Sequence, residues 1–193
     1  METDLKALLD TTFRRAGVYP ADTQQFISYI ETLKKWNKHI NLYSRKLNCD
    51  SELINILIAP SLLFFKITEQ LSLKRIIDVG SGAGIPGLII KLTNPALDVV
   101  LVEPNAKKSA FLSYVCAKLG ITCSICRTPL EQVEEGGFDV ATVRGLKLTG
   151  DMISALKEKS RWLVAFEAPT NHLPLPSVAS ASTNRIRATL YRL

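Results

Sequence analysis

Apolar residues recur at helical spacing through the first third of the chain. The pattern predicts one amphipathic helix over 5–13 and a longer one over 26–40. A strongly apolar stretch follows over 52–67 and is interrupted by Pro60, which predicts a buried helix that is kinked or broken. We therefore expect residues 1–70 to form an N-terminal helical region.

From residue 74 onward the pattern changes to short β-branched runs that alternate with helical segments. The predicted strands lie near 75–79, 98–103, 121–126, 138–143 and 162–167. The predicted helices lie near 85–93, 106–119 and 150–158. Short connections and right-handed crossovers favour a doubly wound, mostly parallel α/β sheet over residues 71–193.

The end of the chain is less regular. Residues 168–183 are rich in Pro, Ser, Ala and Thr and are predicted to be a loop. Residues 184–191 are predicted to form one more strand.

A glycine-rich turn follows the first predicted strand. Residues 76–87 place Asp78 near the strand end, ahead of a run in which every second residue is glycine. Glycine tolerates positive φ and lets a ligand approach the backbone closely. The N–H groups of a helix that starts near Ile85 would point into the same space. This layout is typical of a nucleoside-containing cofactor site at the carboxyl end of a parallel strand.

Two cofactor classes fit the turn. Gly82, Gly84 and Gly87 satisfy the G-x-G-x-x-G pattern of dinucleotide enzymes. Gly80, Gly82 and Gly84, with Asp78 before them, satisfy the acid-then-glycine pattern of S-adenosylmethionine enzymes. An acid at the strand end suits a cationic sulfonium ligand better than a pyrophosphate. We therefore favour S-adenosylmethionine, and an NAD-type oxidoreductase stays the alternative.

Glu103 closes the second predicted strand and is a candidate cofactor ligand. A carboxylate at this position can accept the two ribose hydroxyls of either cofactor class. The alternative reading is a solvated acid before a proline.

Composition narrows the class of protein. The 193 residues are 47% hydrophobic, which is enough for a proper core, and carry a net charge of +6 that suits a polyanionic partner. No apolar run reaches membrane-spanning length, and the acidic, amphipathic start is not typical of a secretory signal, so we expect a cytoplasmic protein. Cys123 and Cys126 have metal-like spacing without a second pair, so we predict no metal site.

Several motifs together resemble one known family. The matching segments are Trp36-Asn37 with Asn41-Leu42, the glycine turn over 77–87 with its Ile-Pro-Gly ending, Lys107-Lys108 with Phe111-Leu112, and Val143-Arg144 with Leu146. The family is RsmG, also called GidB, which methylates guanine N7 in bacterial small-subunit ribosomal RNA with S-adenosylmethionine. The resemblance implies a class I methyltransferase fold, and we expect a monomer that acts on small-subunit ribosomal RNA or on the small subunit.

The resemblance also assigns cofactor contacts. Gly80 and Ile85 match the family's glycine-turn contacts, Leu130 and Glu131 match its adenine-flanking pair, and Arg144 matches its arginine after the fourth strand. Glu131 read by itself is equally a solvated loop acid. No residue is assigned as a catalytic acid or base.

Four basic residues are candidate RNA contacts. Lys107 and Lys108 follow the second strand and are suited to phosphate, although an exposed helix face is the alternative. Arg144 and Arg127 follow the fourth and third strands, and a cation there can recognise guanine O6 or N7. For Arg144 the alternatives are a cofactor carboxylate or a surface ion pair.

Three features depart from the family pattern. Its H-x-x-D-S stretch aligns with residues 57–61, where only Ser61 survives, and its Lys-Gly after the fifth strand is replaced by Glu167 and Ala168. The sequence also ends soon after Tyr191, whereas the family continues through one further strand. The resemblance therefore implies that the sheet lacks its last strand, which would leave an edge that must be covered or paired. A divergent member that binds cofactor or RNA without turnover therefore stays a second hypothesis.

Overall fold

The computed structural model describes residues 2–168, 170–171 and 173–193 of the chain. The strands are β1 (Arg75–Val79), β2 (Asp98–Val102), β3 (Ser124–Cys126), β4 (Phe138–Arg144), β5 (Ser160–Glu167), β6 (Ser177–Ser182) and β7 (Arg187–Arg192). The α-helices are α1 (Glu2–Ala16), α2 (Thr23–Asn37), α3 (Asp50–Leu53), α4 (Ala59–Ile67), α5 (Gly87–Thr93), α6 (Ala106–Leu119) and α7 (Gly150–Lys159). None of these described helices has the length and apolar character needed to cross a membrane.

All seven strands form one sheet in the order β3-β2-β1-β4-β5-β7-β6. The first five strands run parallel, and β7 pairs antiparallel with both β5 and β6. The carboxyl ends of β1 to β5 therefore meet at one edge of the sheet, called the carboxyl edge below. The predicted doubly wound, mostly parallel sheet is confirmed.

The expectation that the sheet lacks its last strand is wrong. Residues 177–182, predicted to be a loop, form β6, and β7 confirms the strand predicted over 184–191. Small and hydroxyl side chains alternate along β6. One face of this outer strand is exposed, and the other, with Ala179 and Ala181, is only half-buried against the core. Because β6 buries little apolar surface, it carries no hydrophobic period that sequence analysis could detect. It pairs with β7 and so covers the edge that was expected to be open.

The N-terminal helices pack on one face of the sheet. Leu9 of α1, Phe26 of α2 and Phe64 of α4 belong to the same buried cluster as Val99 and Val164 of the sheet. The two parts of the chain thus share one core, and the boundary near residue 70 stays a prediction about organisation along the sequence.

The apolar stretch around Pro60 is broken, as predicted. A π-helical segment, Ile54–Ile58, separates α3 from α4, and the N–H of Ala59 donates to the carbonyl of Ile54. Proline has no N–H, so a normal helical ladder cannot continue through residue 60. The wider π-helical turn lies directly before Pro60, where the regular pattern of α-helical hydrogen bonds is interrupted.

Candidate functional site

The glycine turn between β1 and α5 lies at the carboxyl edge. Gly80 and Gly82 have φ values of +71° and +55°, in the left-handed region that favours glycine. A Cβ added to Gly82 would have the carbonyl oxygen of Gly80 as its nearest neighbour, at 3.7 Å, so this side of the turn is open. A Cβ on Gly80 would lie 3.3 Å from Cδ2 of Leu146, a half-exposed side chain that covers this glycine.

The other two glycines of the turn face the protein interior. A Cβ on Gly84 would lie 2.4 Å from Leu88 of α5, and a Cβ on Gly87 would lie 2.6 Å from Leu101 and 2.7 Å from a carboxylate oxygen of Asp78. Gly84 and Gly87 therefore permit close packing of the helix on the sheet. The open cradle of the turn lies at Gly82, beside Gly80 and its covering side chain, Leu146.

Glu103 holds the turn from the neighbouring strand. One carboxylate oxygen accepts the N–H of Gly82 at 2.8 Å, and the other accepts the N–H of Asn105 at 2.9 Å. Asn105 in turn caps α6, because its side-chain oxygen accepts the N–H groups of Lys107 and Lys108. Glu103 is buried, so the reading of it as a solvated acid is wrong.

Asp78 lies beneath the turn and is 1% exposed. Its Oδ1 accepts the hydroxyl of Thr142 at 2.6 Å, while Oδ2 finds no hydrogen-bond partner within the described part of the chain. Burial raises the pKa of Asp78 to about 6, an effect that the hydrogen bond from Thr142 opposes. The carboxylate is aimed at Gly87, at the start of α5, and it sits beneath the cradle that would face a ligand.

Tyr29 of α2 is a site residue that sequence analysis missed. Its side chain is fully buried, and its hydroxyl donates to the carbonyl of Ala83, in the middle of the turn, at 2.7 Å. Burial raises the pKa of Tyr29 well above its ordinary value. The available signal was a tyrosine on the apolar face of a predicted helix, since a buried phenol needs a hydrogen-bond partner.

Arg144 does not form the surface ion pair that was one reading of it. Its guanidinium donates to the carbonyl of Leu57 at 3.1 Å and to the carbonyl of Ile56, both in the π-helical segment. Burial lowers the pKa of Arg144 to about 10, while Tyr29 and Asp78 act in the opposite direction. Arg144 thus joins the end of β4 to the N-terminal helices beside the glycine turn.

The residues that depart from the family motif pack in the core. Leu57, Ile58 and Pro60 are buried, and the hydroxyl of Ser61 donates to the carbonyl of Leu57 at 2.9 Å. Glu167, at the end of β5, lies opposite Arg187 in the β5–β7 ladder. Opposite charges on facing strands stabilise a sheet.

The remaining predicted cofactor contacts divide by burial. Ile85 is buried in the turn, where its N–H donates to the carbonyl of Ser81 at 3.1 Å. Leu130 is buried beneath the ends of the strands, whereas Glu131 is exposed beside it in a short 3-10 helix.

The predicted RNA-binding lysines begin α6 at the same edge. Lys107 is exposed, and Lys108 lines an open cavity of about 720 Å³ with Arg45 and Lys46. Asn37 shapes the loop that forms this cavity, because its side-chain oxygen accepts the N–H groups of Leu42 and Tyr43.

Trp36 and Arg127 both contact α6. Trp36 contacts the rings of Phe111 and Tyr114 at 5.6 and 5.3 Å. Arg127 is exposed and lies 3.5 Å from the hydroxyl of Ser113 in a weak contact.

Three features together define the class of protein. They are a doubly wound sheet with an antiparallel β7, a glycine turn after β1 and an acid at the end of β2. The usual dinucleotide-binding order, 3-2-1-4-5-6, has no reversed strand next to the fifth. The chain therefore has the class I fold of S-adenosylmethionine-dependent methyltransferases. It belongs to the GidB family, described as rRNA small subunit methyltransferase G, whose model matches residues 22–164.

Known proteins agree with this assignment. Ribosomal RNA small subunit methyltransferase G of Salinispora arenicola is 30% identical over 179 residues, which cover 90% of this chain and 65% of the relative. The protein of the same name in Salinispora tropica is 35% identical over 118 residues, or 60% of this chain and 49% of the relative. The chain thus spans about half to two thirds of the length of these two relatives.

A solved structure shares the fold at low sequence identity. The SAM-dependent methyltransferase from Aquifex aeolicus superposes with a TM-score of 0.57 at 12% identity, over 82% of this chain and 97% of that chain.

Proposed function

We propose that the chain is an S-adenosylmethionine-dependent methyltransferase that modifies guanine N7 in small-subunit ribosomal RNA. The observation that carries the proposal is the open cradle at Gly82, whose backbone N–H is held by the buried carboxylate of Glu103. Membership of the rRNA small subunit methyltransferase G family supports small-subunit ribosomal RNA as the substrate. Guanine N7 is the position that the resemblance to this family implies.

The cradle fits a methyl donor with a nucleoside part. Glu103 accepts one backbone N–H on each carboxylate oxygen, and each oxygen keeps acceptor capacity for a ribose hydroxyl. The turn is open at Gly82, so a ligand can approach the main chain there. Leu130 and Glu131 would flank the adenine, and Asp78 lies beneath the turn against Gly87, at the start of α5.

The chemistry requires positioning more than proton transfer. Bound S-adenosylmethionine supplies an electrophilic methyl group and a neutral leaving group. Guanine N7 carries a lone pair and no proton, so no general base is required. Orientation of the two reactants can then supply about 7–11 kcal/mol of the barrier reduction. Arg144 would position the target base through the π-helical segment that it tethers.

The RNA would lie along the carboxyl edge. Lys107, Lys108, Arg45 and Lys46 form a basic surface beside the capped start of α6, and such a surface suits phosphates. We propose that a monomer acts in the cytoplasm on the small subunit or its RNA. Arg127 is a further candidate for phosphate contact.

The test uses transfer of a labelled methyl group. The protein is incubated with labelled S-adenosylmethionine and small subunits from a strain that lacks this modification, and the label is located by nuclease digestion. We expect label on guanine N7, and a large loss of label with Gly82→Val. Absence of label from every guanine, with folded protein that binds S-adenosylhomocysteine, would contradict the proposed reaction.

A second candidate function is cofactor or RNA binding without turnover. It is favoured by the guanidinium of Arg144, which is already engaged by the carbonyls of Ile56 and Leu57. Calorimetric titration with S-adenosylhomocysteine separates the two functions, because binding without methyl transfer selects the second. Binding of NAD in place of S-adenosylhomocysteine would instead select an oxidoreductase.

A further inference from the structure

A second cavity lies against the π-helical segment, Ile54–Ile58. It has a volume of about 630 Å³, within the range of about 300–1,000 Å³ that is usual for small-molecule sites. Ile56 lines this cavity, and the carbonyl of the same residue accepts a hydrogen bond from Arg144. Ile56 therefore links the cavity directly to Arg144, whose side chain extends from the candidate active site.

The cavity lies at the carboxyl edge of the sheet. Its outer wall is the turn between β6 and β7, residues 183–186. The residue after this turn, Arg187, pairs with Glu167, the last residue of β5. The turn therefore projects beyond the same edge as the glycine turn, next to β5, and ligands of open α/β sheets bind outside that edge.

Two arginines from distant parts of the sequence face this cavity. Arg15 comes from the last turn of α1 and Arg185 from the β6–β7 turn, and both are exposed. Within the described residues, no carboxylate lies within 4.0 Å of either guanidinium. The lining also contains one carboxylate, Glu52, which accepts the N–H of Asn48 at 3.3 Å. Two guanidinium groups without an ion-pair partner outnumber this single carboxylate, so the cavity favours an anionic ligand.

The rest of the lining suits a nucleobase. Asn55 and Asn184 offer amide donors and acceptors, while Ala59 and Leu63 form an apolar wall. Amide groups read the hydrogen-bonding edges of unstacked bases, and arginine guanidinium planes stack on base faces. An acidic peptide would bind the two arginines, but it would not explain the side-chain amides of Asn55 and Asn184 or the apolar wall.

We propose that this cavity binds a nucleotide of single-stranded RNA that flanks the target base, with its phosphate on Arg15 and Arg185. The proposal rests on the proposed function, because it places the RNA strand across the π-helical segment from the methyl-donor site. It adds a second RNA contact region to the basic surface around Lys108.

The experiment measures RNA affinity as a function of salt. A fluorescein-labelled, single-stranded RNA is titrated with the protein, and anisotropy gives the affinity across a series of salt concentrations. The test variant is Arg15→Ala/Arg185→Ala. The matched control, Lys74→Ala/Arg161→Ala, removes two exposed positive charges near the starts of β1 and β5, at the opposite edge of the sheet.

We expect the test variant to lower the slope of log affinity against log salt by about 0.7, which corresponds to one phosphate that is no longer neutralised on a single strand. The control should keep the wild-type slope. Equal slopes for the two variants, or wild-type protein that does not bind the RNA, would overturn the proposal. Competition by polyglutamate as effective as competition by unlabelled RNA would also overturn it, in favour of an acidic peptide.

A calorimetric titration with S-adenosylhomocysteine distinguishes this result from failure of the proposed function. We expect the test variant to bind S-adenosylhomocysteine with wild-type affinity, since neither arginine belongs to the glycine turn. If wild-type protein binds the RNA with the expected slope change and does not bind S-adenosylhomocysteine, the cavity assignment stands and the proposed function fails.

Discussion

The guanidinium of Arg144 lies 3.1 Å from the carbonyl oxygen of Leu57 and also donates to the carbonyl of Ile56. In a regular α-helix the carbonyl of Ile56 would accept the N–H of residue 60, and residue 60 is a proline that has none. Arg144 therefore supplies the donor that Pro60 cannot. A side chain from the end of β4 completes the hydrogen bonding of a helix some ninety positions earlier in the sequence.

Arg144→Ala should impair both folding and methyl transfer. Loss of the guanidinium removes two charge-assisted hydrogen bonds to part-buried carbonyls, which costs about 1–3 kcal/mol in the free energy of unfolding. We expect the loss of kcat/KM for methyl transfer to exceed what the unfolded fraction explains. Urea unfolding and single-turnover transfer measure the two effects. Arg127→Ala, at an exposed arginine with one weak contact, is the control and should leave the stability unchanged.

Gly82→Ala should abolish cofactor binding while the fold survives. The added methyl group points into the open cradle, and the positive φ of residue 82 costs about 1–2 kcal/mol. Gly17→Ala is the matched control, since Gly17 has a φ of +67° and its Cβ would meet nothing within 4 Å. Both variants should lose similar stability in urea, and only Gly82→Ala should lose S-adenosylhomocysteine binding. Equal affinity in the two variants would contradict the cradle.

Tyr29→Phe should weaken cofactor binding from a distance. The variant leaves the carbonyl of Ala83 without its buried donor, at a cost of about 1–3 kcal/mol in stability. The glycine turn then loses a support, and we expect the affinity for S-adenosylhomocysteine to fall by up to about tenfold, or about 1.4 kcal/mol. Tyr191→Phe is the control, because the hydroxyl of Tyr191 contacts Leu173, which packs in a different core cluster. An unchanged affinity in Tyr29→Phe would remove this residue from the site.

The raised pKa of Asp78 should make the free energy of unfolding decrease as the pH rises from about 4 to 7. The folded pKa of about 6 lies above the ordinary value of 3.8, so the folded state binds this proton more tightly than the unfolded state does. The stabilisation by the proton is complete below pH 4 and is lost as the pH rises through 6. At 1.36 kcal/mol per pKa unit, the difference corresponds to about 3 kcal/mol.

The measurement for Asp78 is the free energy of unfolding in urea across this pH range, for wild type and for Asp78→Asn. The asparagine cannot ionise, so the difference between the two proteins isolates this carboxyl from other titrating groups. Parallel curves for the two proteins would show that the pKa of Asp78 is not raised.

The parallel part of the sheet could be predicted because its strands are buried on both faces. Continuous β-branched runs at β1, β2 and β4 identify such strands without an alternating pattern, and the predicted bounds agree closely with the structure. β6 was missed for the opposite reason, since it is an outer strand of small side chains held by main-chain pairing. Main-chain hydrogen bonds between strands do not depend on residue type, so a strand held mainly by them cannot be predicted from composition.

The candidate site was predictable where chemistry is local in the sequence. The glycine turn and Glu103 are read from a few neighbouring residues, and the structure brings them within 2.8 Å of each other. The support from Tyr29 and the tether from Arg144 depend on contacts between residues 54 or more positions apart. Such contacts are decided by helix packing, which periodicity describes only as a buried face.

The antiparallel direction of β7 decides where a reporter group can be placed. Arg192 pairs with Trp162 near the start of β5, so Leu193 leaves the sheet on the side remote from the glycine turn. A fluorophore or surface anchor joined after Leu193 would leave the whole reactive face accessible. The same group inserted between Thr183 and Ile186 would stand over the second cavity and obstruct the nucleotide proposed to bind there.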